Sequence, residues 1–405
     1  MKQFARAILS SASLWLVIGT ANVVLGVAIA QRVDGSRDAE WLWFWTRNWL
    51  QGTNPYRLGI PADYAPSALV ALSPIGMVPD AIMPALWACT SVAIAIIVAW
   101  LGPKAMALES VPLRLSIGWF LSWAAVRYGL GNGQFALLVT ACGLAAVWLA
   151  RRGSNWSGLF LGLAFIKPHL GIAFLAWAIA AGRWRAICGA GAAIGAATLV
   201  FSTRLHENPL SVVAQYVRQV GVELGGPHGL RGAVEIRPLI EALIADPRVA
   251  GVVNMTLIVA GFAAIVWTLG RQPIEARERL ALPLFCLLTL AGIFHNAYDL
   301  VLLWPVWLAV WDHQQRDQQR QPYLLAFILA ALVLGIPGMW WQVRGPASGI
   351  ALHFDRLLVA GVLIHLLATT ARAGRRRSGR PSLWEPDGRD LVQAPARHSS
   401  DVMLP

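Results

Sequence analysis

The sequence predicts an all-α, polytopic integral membrane protein, and three observations carry that reading. Of its 405 residues 57% are hydrophobic and 13% charged, against roughly 45–50% and about 25% in soluble domains. The apolar residues lie in blocks, many near the roughly 20 residues a helix needs to cross a bilayer core. The basic residues, 33 Lys and Arg against 21 Asp and Glu for a net charge of +12, gather in the loops between those blocks. That is the pattern of cytoplasmic loops under the positive-inside rule, so the charge is assigned to the membrane face and no nucleic-acid partner is expected. A soluble enzyme, a secreted disulfide scaffold and a disordered chain are all excluded. Cys89, Cys142, Cys188 and Cys286 fall inside apolar runs and read as small core residues.

The first block, 8–30, follows Lys2 and Arg6. It exceeds the roughly 7–15 residues of a signal-peptide core and reads as a retained helix. An outer loop, 31–65, comes next, and an apolar hairpin over 66–79. Further spans are expected near 81–101, 112–128, 133–150, 186–202, 250–269, 279–294, 299–312, 322–338 and 350–370. The block 156–182 holds Lys167-Pro168-His169 at its centre and is flanked by Arg151-Arg152 and Arg183-Trp184-Arg185. The other basic clusters are Lys104/Arg114, Arg271/Arg277/Arg279, Arg316/Arg320 and Arg375 to Arg377. All of them alternate correctly only if 156–182 enters and leaves on one side. Proline interrupts a helix, so two short helices, 156–166 and 170–182, are expected to meet at Lys167-Pro168-His169. The total is about twelve membrane segments with both termini cytoplasmic. Residues 1–372 form one transmembrane domain, with a second outer loop over 203–248, and 373–405 form a disordered, basic cytoplasmic tail.

This map places 31–65, Arg127 to Gln134, Lys167 to His169, 203–248, His295 to Asp299 and Trp340 to Arg344 on the outer face. Trp41, Trp45 and Trp49 recur every four residues, which puts three indoles on one face of an interfacial helix lying flat at the membrane surface. Asp38 opens that helix, where the helix dipole favours a carboxylate. It reads either as a cap or as a reacting group. Gly52 ends the helix, Asn54-Pro55-Tyr56 turns the chain, and Tyr64-Ala65-Pro66 leads into the hairpin. A lysine near bilayer depth costs about 2.5–3.5 kcal/mol, so Lys167 is expected to face an interior cavity and a partner. Snorkelling to the surface is the alternative. Arg127 reads equally as a second cation or as an interface anchor. Gly131-Asn132-Gly133-Gln134 is either an amide-rich anion site before a helix or a tight link between helices. His295 is a substrate contact or a satisfied core histidine, and Asp299 is expected to pair with an arginine. Asp355 and Arg356 near the last span pair with other interior groups or touch substrate. His206, His228, Arg231 and Arg237 belong to a cap expected to contact acceptor. No His, Asp or Glu cluster shows metal-ligand spacing.

An aspartate after the first span, a glycine fourteen residues on, Pro55-Tyr56 and then Tyr64-Ala65-Pro66 resemble glycosyltransferase family 87. The resemblance continues through Gly131-Asn132-Gly133-Gln134, Gly158 to Lys167-Pro168, Arg183-Trp184-Arg185 and His295-Asn296-Ala297-Tyr298-Asp299, over most of 1–312. It departs at Phe135, after Gln134, and at Leu42, where the family usually carries an aromatic residue. The resemblance implies a GT-C-type glycosyltransferase fold in the plasma (inner) membrane with an extracytoplasmic active site. It also implies inverting transfer of a hexose, mannose being the best-described sugar, from a polyprenyl-phosphate donor to a glycolipid or glycan acceptor. Asp38 is then the catalytic base, with Asp34 its rival. Lys167, Arg127 and His169 are assigned the donor phosphate. Tyr56, Tyr64, Asn132, Gln134, His295, Tyr298 and Asp299 are the expected substrate contacts. A lipid-phosphate donor has no diphosphate to bridge, so neither metal nor other cofactor is expected. A transporter or flippase of lipid-linked sugars is the alternative; inverted repeats with broken helices would favour it.

Overall fold

The computed structural model describes residues 10–32, 36–60, 62–108, 111–225, 236–244, 246–293, 295–316, 359–368 and 370. Every element among them is helical. The chain runs through α1 (Ala12–Ala30), α2 (Arg37–Leu50), the short pair α3 (Pro66–Ala71) and α4 (Ser73–Gly76), and α5 (Met83–Ala105). It continues through α6 (Leu113–Leu121), α7 (Ala124–Asn132), α8 (Ala136–Arg151), α9 (Trp156–Ala164), α10 (Pro168–Ala180) and α11 (Trp184–Leu205). Then come α12 (Pro209–Gly225), α13 (Arg237–Leu243), α14 (Pro247–Gly270), α15 (Ile274–Gly292), a 3-10 turn over Ala297–Leu303, and α16 (Trp304–Arg316). A last apolar helix, α17, spans Val359–Ala368.

Four helices are long and apolar enough to cross a bilayer: α1, α5 with the turn before it, α11 and α14; a fifth is reached if α7 and α8, bent by 119°, count as one broken span. The expected twelve segments are therefore not found among the described residues. The expected crossing at 112–128 is split, because the helix breaks between α6 and α7 at Ser122-Trp123. A break at depth frees backbone carbonyls that no lipid can satisfy. Here the buried Asn22 of α1 donates its amide to Leu121 O and Trp123 O, both at 2.8 Å. The expected span 322–338 and the tail 373–405 lie outside the described residues.

The block 156–182 is a helical hairpin as its proline and flanks predict. Both of its feet meet one carboxylate: Glu278 of α15 accepts from Arg183 and lies 3.8 Å from Arg151. The rising leg α9 packs on α11 through small residues. A Cβ on Gly158 would stand 2.7 Å from Gly189 Cα, and one on Gly162 would stand 3.1 Å from Ala193 Cβ. Such spacing lets backbones touch where lipid offers no hydrophobic drive for helix association.

The indole stripe of α2 is turned inward, not laid into the membrane surface. Trp45 and Trp49 are buried. Trp45 Nε1 donates to Ile60 O at 3.0 Å, and Trp49 stacks on Phe201 of α11 at 5.5 Å while donating to its carbonyl at 3.2 Å. Burying the indole N–H groups against carbonyls satisfies their one donor. Arg204 of α11 donates to Trp49 O and Leu50 O, closing the C-terminal end of α2 with a cation.

Candidate active site

Two adjoining groups of side chains form the site. The first is built at the tip of the hairpin. After α9 ends, Lys167 is held extended (φ −118, ψ 96), as a residue before proline prefers, and Pro168 starts α10 at the position where its missing N–H costs nothing. Lys167 is buried, 7% of the residue being exposed. Its ammonium donates to Gln134 Oε1, lies 3.7 Å from Asp299 Oδ1, and sits 4.7 Å from the centre of the Tyr298 ring. It therefore faces polar partners and an aromatic face inside the protein, not acyl chains.

Asp299 is fixed by a capping box at the start of the 3-10 turn: its Oδ2 accepts from Asn296 N at 3.0 Å, while the Asn296 side chain accepts from the Asp299 amide. Asn296 Nδ2 also donates to Tyr298 Oη at 2.6 Å. His169 Nε2 lies 3.7 Å and His295 Nδ1 3.5 Å from Asp299 Oδ2, and the two rings are 5.2 Å apart. The expected arginine partner of Asp299 is replaced by Lys167 and these two histidines. His295 is completely buried, and its Nε2 meets Thr289 O at 3.1 Å. It is buried in the protein core and borders Asp299.

The second group is Asp38 and its support. Helix α2 starts at Arg37 with Ser36 as its cap, so Asp38 is in the first turn and not the cap. Ser36 adopts φ 55, donates its amide to Gly131 O at 2.9 Å and its hydroxyl to Ala30 O at 3.3 Å. Gly133, at φ +70, lies against this start: a Cβ there would meet Ala39 Cβ at 2.8 Å and Ser36 backbone at 3.0 Å. The turn Gly131–Gln134 is thus the tight link between helices. Gly133 and Gln134 give their amides to Leu130 O and Gly129 O, at 3.3 and 2.8 Å, a C-terminal helix closure that uses the groups an anion would have needed.

Asp38 is partly buried, and desolvation pushes its carboxyl up from the ordinary 3.8 to about 6. The Lys167 charge pulls it down, Asp63 pushes it up, Arg37 pulls it down and Asp299 pushes it up. The field of the first group thus reaches the second. Asp63 is the residue the sequence reading passed over, although it immediately precedes the Tyr64-Ala65-Pro66 motif.

The remaining expected contacts have these surroundings. Tyr56 and Tyr64 are buried, and Tyr56 donates its hydroxyl to Tyr64 O at 2.7 Å, tying the roof together. Asn54 donates to Glu207 at 2.8 Å and Gln215 at 3.0 Å, anchoring that roof to α12. Arg127 points at Asn22 Oδ1, 3.3 Å away, and covers the Tyr128 ring at 5.3 Å. Asn132 is exposed at the end of α7. Arg237 pairs with Glu241 at 2.8 Å, and His206 caps α11 at φ 53. Asp34, His228, Arg231, Trp340 to Arg344, Asp355 and Arg356 lie outside the described residues.

An all-helical protein with apolar helices long enough to cross a bilayer thus gathers an ammonium, a carboxylate and two imidazoles at one buried point. The family model for glycosyltransferase family 87 matches residues 63–294, more than half of the chain. The chain belongs to that family and is a membrane glycosyltransferase. Asp38 and the segment His295 to Asp299 lie just beyond the two ends of the match. No curated protein and no solved structure matches.

Proposed function

We propose that the protein transfers a hexosyl group, mannose by family resemblance, from a polyprenyl-phosphate sugar to a hydroxyl of a glycolipid or glycan acceptor. The reaction proceeds with inversion at the outer face of the inner membrane, with both termini cytoplasmic. The observation that supports this most is the buried Lys167 ammonium held among Gln134, Tyr298 and Asp299 at the hairpin tip, because transfer needs a cation where the phosphate leaves, opposite the base.

The acceptor oxygen attacks the anomeric carbon, its proton passes to the Asp38 carboxylate, and the bond to the phosphate oxygen breaks with its electron pair on phosphate. A carboxyl near 6 is ionised at neutral pH yet more basic than an ordinary aspartate, which suits a general base. Phosphate leaves as an anion without a general acid, and Lys167 receives the charge that grows on it. His169 stands at the hairpin tip beside Lys167, with its Nε2 turned toward Asp299. Asp299 and Gln134 hold the ammonium in place when no donor is bound. Burial is the main reason Asp38 is more basic than an ordinary aspartate, and the charge of Asp63 adds to it.

The test is purified protein with synthetic polyprenyl-phosphate mannose and a membrane lipid extract as acceptor, read by mass spectrometry. Asp38→Asn is expected to lower transfer by roughly 100- to 10,000-fold, the usual contribution of a positioned base. Full transfer by Asp38→Asn removes Asp38 from the role. Movement of the intact donor across a bilayer with no sugar transferred selects the flippase reading instead.

A further inference from the structure

We infer that His169, His295 and Asp299 bind a divalent transition-metal ion, Zn2+ being the ion their chemistry suits. The inference goes beyond the proposed transfer reaction and stands on the geometry of three side chains. His169 Nε2, His295 Nδ1 and an Asp299 carboxylate oxygen lie within 4.8 Å of one another. The two separations to Asp299 Oδ2, 3.7 and 3.5 Å, are too long for hydrogen bonds, which run at about 2.7–3.2 Å between heavy atoms. They approach the roughly 3.4 Å that separates two ligands each about 2.1 Å from a tetrahedral zinc.

The tautomer of His295 supplies an independent reason. Its Nε2 faces the Thr289 carbonyl at 3.1 Å, an acceptor, so Nε2 carries the hydrogen and Nδ1 of the neutral ring presents a lone pair. That nitrogen belongs to a fully buried side chain and makes no hydrogen bond. It faces a carboxylate oxygen, so two acceptors oppose each other in a dry site. A proton between them would draw a charge-assisted pair to about 2.7–2.9 Å; an ion between them accounts for the longer gap. Histidine ligands of zinc commonly donate their second N–H to a backbone carbonyl, which fixes ring and tautomer. Asn296 N orients the carboxylate from the other direction at 3.0 Å, and Lys167 occupies the opposite oxygen, Oδ1.

Two imidazoles and one carboxylate leave a fourth position open, as in catalytic zinc sites. The His169 side chain is 30% exposed, so the site is approached from the His169 side. Imidazole donors favour zinc and its neighbours over magnesium or calcium, which prefer oxygen. The sequence could not show this site, because His169 lies on a different helix far from the other two.

The experiment uses the full chain, tag removed, stripped with chelator in detergent and equilibrated with Zn2+ or Co2+. Elemental analysis is expected to find about one ion per chain, and Co2+ to give the visible bands of a tetrahedral site. His169→Ala and the shape-preserving Asp299→Asn should each weaken binding by more than the roughly 10–100-fold that loss of an outer-shell partner produces. Thermal unfolding confirms that each variant is folded. Cys89→Ser/Cys188→Ser, which removes the two exposed thiols, should keep the ion. The inference is overturned by substoichiometric binding in the wild type, by folded ligand variants that bind as tightly as wild type, or by loss of the ion with the thiols. These readouts do not depend on sugar transfer.

Discussion

The Lys167 ammonium and the Asp299 carboxylate stand 3.7 Å apart at the tip of the hairpin, their side chains 9% and 1% exposed. Removing one member of a buried pair leaves the other uncompensated, typically at about 3–5 kcal/mol. Lys167→Met and Asp299→Asn are each expected to lower the unfolding temperature sharply. The double variant should recover much of the stability while transferring no sugar. Thermal unfolding and transfer measured on the same preparations check this; full activity in the double variant would mean Lys167 only holds the fold.

The carboxyl of Asp38 sets a pH profile. Raised by burial to about 6, it is expected to give a transfer rate that climbs as pH rises through about 6 and levels above. Asp38→Asn should lack that limb. The stability effect has the opposite sign. A carboxyl whose folded pKa exceeds its unfolded value near 3.8 favours the folded state when protonated, and that advantage is lost between about 4 and 6 as pH rises. Asp38→Asn should therefore be at least as stable as wild type at pH 8. Unfolding curves at pH 4.5 and pH 8 read the sign directly.

Gly133 carries the start of the Asp38 helix. An alanine there takes on a left-handed backbone, worth about 1–3 kcal/mol of strain, and presses a methyl on Ala39 at 2.8 Å. Gly133→Ala should lower kcat, because it shifts the proposed base Asp38, and should also disturb the neighbouring Gln134 that accepts from Lys167, raising KM for the donor as well. Steady-state kinetics separate the two.

Asn22 and Arg127 share a contact but differ in expected cost. Asn22→Leu strips two buried carbonyls of their donor, at about 1–3 kcal/mol for each unsatisfied group. Arg127→Ala removes one 3.3 Å contact from a half-buried guanidinium, and its effect should stay within about 1 kcal/mol. A larger loss of transfer than of stability in Arg127→Ala would restore it to the donor site.

Much of the fold was legible from polarity and proline. Long apolar blocks marked α1, α5, α11 and α14, and Pro168 between two basic flanks marked the hairpin. Hydropathy did not show the break between α6 and α7, because Ser122-Trp123 is only two residues long and lies between apolar runs on both sides; the sign was Asn22, a polar residue in another span. The period of Trp41, Trp45 and Trp49 gave a helix face correctly, but period alone does not tell lipid from protein as its neighbour, and Phe201 and Ile60 supplied the protein side. Lys167 stood out because a lysine at that depth demands a partner. Its partners did not, since Gln134 is brought to it by one turn and Tyr298 and Asp299 by another, far along the chain.

The grip of Glu278 on both feet of the hairpin bears on how the protein is made. Arg183 leaves the ribosome 95 residues ahead of Glu278, and Arg151 earlier still. The re-entrant segment is therefore threaded into the bilayer with its two arginines unfastened. It becomes latched only when α15 arrives, so closure of the hairpin's base is a late event in biogenesis, timed by the synthesis of a distant helix.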